Sequence, residues 1–371
     1  MFKTVQSRVI LSSVIVIVFL SQPAGAQKKT SAANPDISLN GLFLYRGGDG
    51  GNHSTDPDKA NGFQIQGLEL RFTSNIDAYW RGDVVLAMHP HSGEKHSEEE
   101  EDSDGDHLEY KLEPEEAFVE SLIWEGWTIR AGKFKSFLGK HNQLHAHNYP
   151  FVDAPLPHQK ILGEEGLNEL GVSVAYLAPF FPWYSEIVLQ ALQGENEELF
   201  ASESNDDLAG LLLLRNLWDI NDQTTFEWNL NYVTGRGEEE RSNKLSGATF
   251  TLKWKPSDSS RKTSVSWNLE ALYAETPGAT ANRESFGYST WVQYQWNREW
   301  WLQGRHEYFE IPKGQEEGST HKNSLLVGYI PTEYSSLRVQ YDHFQPPKEK
   351  EEQSISLQLN VSMGAHPAHS Y

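Results

Sequence analysis

Histidine and carboxylate are unevenly spread along this chain. Of the 14 histidines, His89, His91 and His96 open an acidic tract that runs through Glu98, Glu99, Glu100, Glu101, Asp102, Asp104 and Asp106 to His107. A second group, His141, His145 and His147, is followed by His158, and His366 and His369 stand near the end. Neutral imidazole and carboxylate are ligands for Zn²⁺ and other borderline divalent cations. A tract rich in both gathers such ions with low selectivity. The candidate metal ligands are therefore His89, His91, His96, His107, His141, His145 and His147, with Zn²⁺ or another divalent cation as the ion and no cofactor required. The competing readings are structural. Residues 89–107 also read as a solvated acidic loop, and His141, His145 and His147 as polar residues lining a constriction and bonded to the wall around it. His366 and His369 also read as part of a tail.

Catalytic constellations are not evident. The chain has no G-x-S-x-G elbow and no HEXXH, Walker or Rossmann pattern, and Gly47 to Gly51 reads as a flexible loop tip. Serine and histidine are plentiful enough for accidental pairs, so the expectation is that the protein is not an enzyme. There is no cysteine, which excludes disulfide staples. A formal charge of −21 disfavours nucleic acid as a partner and favours cations or basic partners.

The elements that carry these residues follow from a second pattern. Phe226, Trp228, Leu230 and Tyr232 alternate with Thr225, Glu227, Asn229 and Asn231, and Ile355, Leu357, Leu359, Val361 and Met363 alternate with Ser356, Gln358, Asn360 and Ser362. A strand sends successive side chains to opposite faces, so each such segment has one apolar and one polar face. Ahead of them, Lys3 and Arg8, a 12-residue apolar run from Val9 to Leu20, and Ala24-Gly25-Ala26 read as a signal peptide over 1–26. The expected mature chain begins at Gln27. No later stretch is long and apolar enough for a helical span. Alternating strands behind a secretory signal predict an all-β fold, a transmembrane antiparallel β-barrel.

Sixteen strands are predicted, at 36–45, 63–74, 77–88, 116–124, 126–135, 167–177, 183–193, 208–218, 223–234, 245–256, 263–275, 285–296, 299–311, 322–330, 334–344 and 354–364. Links after even strands are short, and links after odd strands are long and polar, as in outer-membrane barrels. Trp127, Trp183, Trp218, Trp254, Trp296 and Trp300 fall near the short turns, where an interfacial girdle belongs. The inward faces carry charges of both signs, and sixteen strands leave room for water. The expected pore lining is Arg71, Arg81, Asp83, Arg130, Asp153, Lys160, Arg305, Glu307 and Arg338. The domain reading is a barrel over 27–371 with two special loops, a His/acid-rich one at 89–115 and a third long loop at 136–166. That third loop breaks the polar rule, with Phe137, Leu138, Leu144, Tyr149, Phe151, Val152, Leu156, Ile161 and Leu162. A surface loop would not normally carry so many apolar groups.

Size, strand count and loop rhythm resemble the general and phosphate-selective porins of Gram-negative outer membranes, in which the third long loop folds into the channel. Trp127 to Phe134 is similar to the R-x-G-K-F strand that enters that loop, and Tyr371 sits in phase with the last strand, as in the C-terminal signal read by outer-membrane assembly machinery. The H-x-H…PFVD run and the terminal GAHPAHSY are also similar to a poorly characterised, zinc-linked group of exported barrels. The porin resemblance implies an outer-membrane lipid setting, a passive channel for small hydrophilic solutes or ions, and a homotrimer. The alternatives are a metal-ion (zinc) binding or uptake protein using the His/acid-rich loops, and a barrel that conducts nothing.

Overall fold

The computed structural model describes residues 35–49, 60–91, 109–196, 198–200, 207–237, 241–256, 262–277, 282–313 and 318–364. The expected signal peptide, the acidic tract with His96 and His107, and the tail with His366, His369 and Tyr371 lie outside the described residues.

Sixteen strands follow one another: β1 (Asp36–Gly48), β2 (Gly62–Asn75), β3 (Trp80–His91), β4 (Glu109–Ser121), β5 (Trp127–Lys135), β6 (Asn168–Leu177), β7 (Tyr184–Leu192) and β8 (Ala209–Asn221) make the first half. The second half is β9 (Thr224–Arg236), β10 (Ser242–Trp254), β11 (Ser264–Pro277), β12 (Asn282–Gln295), β13 (Trp300–Lys313), β14 (Gly318–Thr332), β15 (Ser335–Gln345) and β16 (Glu352–Gly364). Each pairs antiparallel with its neighbours, and β1 pairs with β16 from Ser38↔Gly364 to Gly48↔Ser354, so the sheet closes without an edge. All sixteen predicted strands are present. The largest boundary difference is β4, which starts at Glu109 instead of 116. Pro114 and a run of charges hid its first half, and a bulge opposite Val85 and Leu86 absorbs the irregularity.

The alternation sorts as the pleat requires. On β16, Ile355, Leu357 and Leu359 are exposed on the outer face, whereas Ser354, Ser356, Gln358 and Asn360 are buried on the inner one. Rings contact one another around the short-turn rim: Phe181, Trp183, Trp218 and Phe226 on one side, and Tyr294, Trp296, Trp300 and Tyr329 on another. An apolar belt edged by aromatic rings and free of unpaired strand edges is an outer face built for lipid.

The inside is not all water. One row of inner-face positions, Leu211, Val233, Leu245 and Ala274, is apolar and paired in register across β8 to β11. Leu213 and Leu272 lie beside it, and onto this patch pack Leu138, Leu156, Ile161 and Leu162 of the third long loop. Phe151 and Val152 fill a second apolar cluster with Leu44, Trp301 and Leu326. Each buried side chain of this size contributes about 1.5–3 kcal/mol. The loop is thus docked inside the barrel by a core of its own, where the sequence predicts an interior of polar groups against water.

Candidate functional site

Residues 136–166 form two single 3₁₀ turns, His141–Gln143 and Ala146–Asn148, and a short helix α1 (Leu156–Leu162). The loop is closed at its base. The Ser136 N–H donates to the Leu167 carbonyl at 2.9 Å. The Asn142 amide donates to the carbonyls of Ser136 and Leu167, both at 3.0 Å, and accepts from the Leu167 N–H at 2.8 Å. Gly139 turns the chain with φ +57°, and a Cβ there would lie 1.9 Å from the Glu270 carboxylate. That carboxylate accepts the backbone N–H groups of Lys140 and His141 and lies 3.2 Å from His158 Nε2.

The far part of the loop is latched to β13–β16. The Asp153 carboxylate accepts from Arg305 at 2.8 and 2.9 Å, from Lys322 at 2.5 Å and from Gln340 at 2.6 Å. Burial opposes ionisation of Asp153, but the Arg305 and Lys322 charges outweigh it and hold the group well below the usual carboxylate range. Phe151 covers the Arg305 guanidinium at 4.4 Å. Glu307 accepts the Leu156 N–H at 2.8 Å, Arg338 donates to the Tyr149 carbonyl at 2.5 Å, and Asn360 donates to the His147 carbonyl at 3.1 Å. Arg305, Glu307 and Arg338 therefore lie on the inner wall as expected from the alternation, but they are enclosed beneath the loop and hold it.

A third contact surface joins the loop to β2 and β4. His145 Nε2 lies 2.9 Å from Glu116 Oε2, and its Nδ1 lies 3.2 Å from Glu115 Oε2 and 3.6 Å from Glu69 Oε2. His147 Nδ1 lies 2.7 Å from the same Glu69 oxygen, and Lys135 pairs with Glu115 Oε1 at 2.9 Å. All six residues are buried or nearly so. Desolvation works against a charged His145, but Glu69 and Glu115 prevail and push its pKa up to about 10. His141 differs. Its ring packs against Tyr149 and His158, and burial together with the His158, Arg305 and Lys135 charges lowers its pKa well below the ordinary value. A cavity of about 150 Å³ adjoins the His145 cluster, lined in part by His89, Lys111, Glu115, Lys135, Tyr149 and Asp153.

The remaining charged wall is ion-paired, and of it Arg130 and Arg215 also touch the loop at Phe137. Arg71 pairs with Asp83 at 2.5–2.8 Å, Arg130 with Glu120 at 2.8 Å, Arg215 with Glu186 at 3.0 Å, and Lys140 of the loop with Glu227 at 3.2 Å. Arg81 lies 3.7 Å from Asp83. In four of these pairs the cation is the more exposed side chain, most clearly 33% against 3% for Arg71–Asp83 and 43% against 3% for Arg81–Asp83, whereas Arg130 is slightly the less exposed partner of Glu120. Lys160 is the exposed residue of α1.

Of the sequence candidates, the structure brings Asp153 and Arg305 into direct contact, sets His145 and His147 on one carboxylate, and keeps His141 apart from them. His89 reaches the cavity, and His91 ends β3. Glu115, Glu116, Glu270, Lys135, Lys322 and Asn142 were not singled out. The signal for the first two is Pro114: a proline inside a strand marks a bulge, and the bulge lets two consecutive glutamates face inward.

No family model matches the chain. A relative from Aquifex aeolicus, an uncharacterized protein, is 26% identical over 88% of this chain and 74% of its own length. Among solved structures, the outer membrane channel DcaP of Acinetobacter baumannii superimposes with a TM-score of 0.55 at 12% identity, covering 90% of this chain and 99% of its own. The barrel has the outer-membrane porin fold. A loop L8 deletion mutant of OmpT, an outer membrane protein of Vibrio cholerae, gives 0.57 at 8% identity over 90% and 100% of the two chains. OprB of Pseudomonas putida gives 0.56 at 9% over 89% and 94%. A closed porin-fold barrel with this lipid-adapted outer face belongs in the outer membrane.

Proposed function

We propose that the protein is a passive channel for small hydrophilic solutes or ions. One observation carries the reading: the third long loop is fastened inside the barrel to β8–β11, β13–β16 and β2/β4, while Arg71 and Arg81 on the inner wall keep partly exposed guanidinium groups. A barrel filled and sealed by its loop would have no use for partly exposed guanidinium groups on its inner wall. The docked loop sets the size limit, and the more exposed cations favour anions over cations of similar size. The test is conductance of the purified protein in a planar bilayer. Discrete openings with an anion-biased reversal potential support the reading, and a barrel that inserts but stays electrically silent overturns it.

A further inference from the structure

The contact between the loop and β2/β4 is built around His145. Its Nε2 faces Glu116 Oε2 at 2.9 Å, and a carboxylate oxygen only accepts, so Nε2 carries the proton. Nδ1 faces two more carboxylate oxygens, Glu115 Oε2 at 3.2 Å and Glu69 Oε2 at 3.6 Å, which calls for a positive centre between them: the second ring proton of a charged imidazole, or a bound cation in its place. Lone pairs facing one another repel unless a positive centre lies between them. His145 is 93% buried on its relative exposure of 7%, and Nδ1 and Glu115 Oε2 have no hydrogen-bond partner apart from one another.

We propose that His145 Nδ1, Glu115 Oε2 and Glu69 Oε2 form a site for one divalent transition-metal ion of the Zn²⁺ class, which clasps the loop to the barrel wall. The three residues offer ligand atoms within 4.8 Å of one another. Two ligands at about 2.0–2.2 Å from a tetrahedral zinc lie about 3.4 Å apart, and the separations of 3.2 and 3.6 Å bracket that value. The surroundings fit a metal centre too. Glu116 holds the other ring nitrogen of His145, the carboxylate–histidine arrangement that orients metal-binding imidazoles. His147 at 2.7 Å orients the Glu69 oxygen, and Lys135 occupies the second Glu115 oxygen. One imidazole and two carboxylates suit a borderline ion better than a thiolate-seeking one. Glu115 also lines the neighbouring cavity, which gives an ion a route in. The site is distinct from the acidic tract before His107, and it concerns the seating of the loop whether or not the barrel conducts.

Chelator-treated full-length protein in detergent, titrated with Zn²⁺ by calorimetry, tests the site. The expected result is one ion per chain bound more tightly than the rest. Glu115→Gln and His145→Asn should each weaken that step more than about 100-fold, and Glu116→Gln, a change in the orienting residue, about 10–100-fold. A proton alone between the three groups predicts no such step, and that outcome, or unchanged isotherms in folded Glu115→Gln and His145→Asn, overturns the proposal. Zinc-edge X-ray absorption on the wild type needs no variant to fold. One nitrogen with oxygen ligands supports the site, and a shell of two or more imidazoles overturns it.

Discussion

Asp153 and Arg305 meet across 152 residues of sequence, with the guanidinium 2.8 Å from one carboxylate oxygen and 2.9 Å from the other. Arg305 is almost wholly enclosed, so its charge depends on Asp153, Glu307 and their neighbours. Breaking a buried pair by removing one partner costs about 3–5 kcal/mol, whereas replacing both with apolar groups is often neutral. Asp153→Asn should therefore release the far part of the loop. The expected outcome is a larger single-channel conductance and new protease cuts within 146–162. The double change Asp153→Leu with Arg305→Leu should restore much of the wild-type behaviour. A single variant identical to wild type in both assays would show that the pair does not hold the loop.

Gly139 is the tightest point of the loop's first turn. Its φ of +57° strains any other residue except asparagine or aspartate by about 1–2 kcal/mol. A Cβ would also strike the Glu270 carboxylate that receives two loop N–H groups. Gly139→Ala should lower the temperature at which the loop becomes protease-sensitive. Gly210→Ala, on β8 with open space around its Cα, should leave it unchanged. Equal sensitivity in the two variants would count against the contact.

Docking should weaken in acid. An undocked His141 takes up its proton near pH 6.5, but the docked ring is kept neutral by burial and by the His158, Arg305 and Lys135 charges. Below about pH 6.5 the undocked loop therefore binds more protons, and docking is strongest above that pH and falls as acid is added. His145 acts in the other sense. Its pKa is raised to about 10, so its contribution is complete below pH 6.5 and is lost towards pH 10. Asp153 stays ionised well below the usual range, so it adds nothing to the slope between pH 6.5 and about 5, and below that it too favours undocking. Hydrogen exchange of the loop amides, with chelator present, should quicken from pH 7 to 5 after correction for the intrinsic rate. His141→Asn should flatten that limb; an unchanged slope would remove His141 from the account.

The charged wall should govern which ions pass. Arg71→Gln with Arg81→Gln removes two exposed cations beside Asp83. The reversal potential in a salt gradient should move towards cation preference, with little change in conductance at high salt, where screening is strong. No movement at low salt would place the selective region elsewhere.

Much of the architecture was legible because a closed barrel repeats one local rule sixteen times. Ile355, Leu357 and Leu359 declare their face two residues at a time, and no long-range information is needed. The loop's location was legible for a related reason: Phe151, Leu156 and Ile161 are too apolar for a surface tip. What holds it was not. Asp153 finds Arg305, Lys322 and Gln340 on three strands, and Glu270 reaches back to Lys140 and His141 across about 130 residues. Such partners are set by barrel closure and register, which spacing along the chain does not encode. The His145 cluster was half legible. The imidazoles stood out by composition, but their acids lay where Pro114 had disguised a strand as a loop.

The latch residues of the loop come late in the chain. Arg305, Lys322, Arg338, Gln340 and Asn360 all belong to the last four strands, up to 213 residues beyond the segment they secure. The loop is made early and has nowhere to fasten until β13–β16 exist and β16 has found β1. Contacts of such separation form late. Loop docking therefore reports completion: a barrel halted one hairpin short would keep residues 146–162 open to protease, and protection of that segment would mark the moment the cylinder shuts.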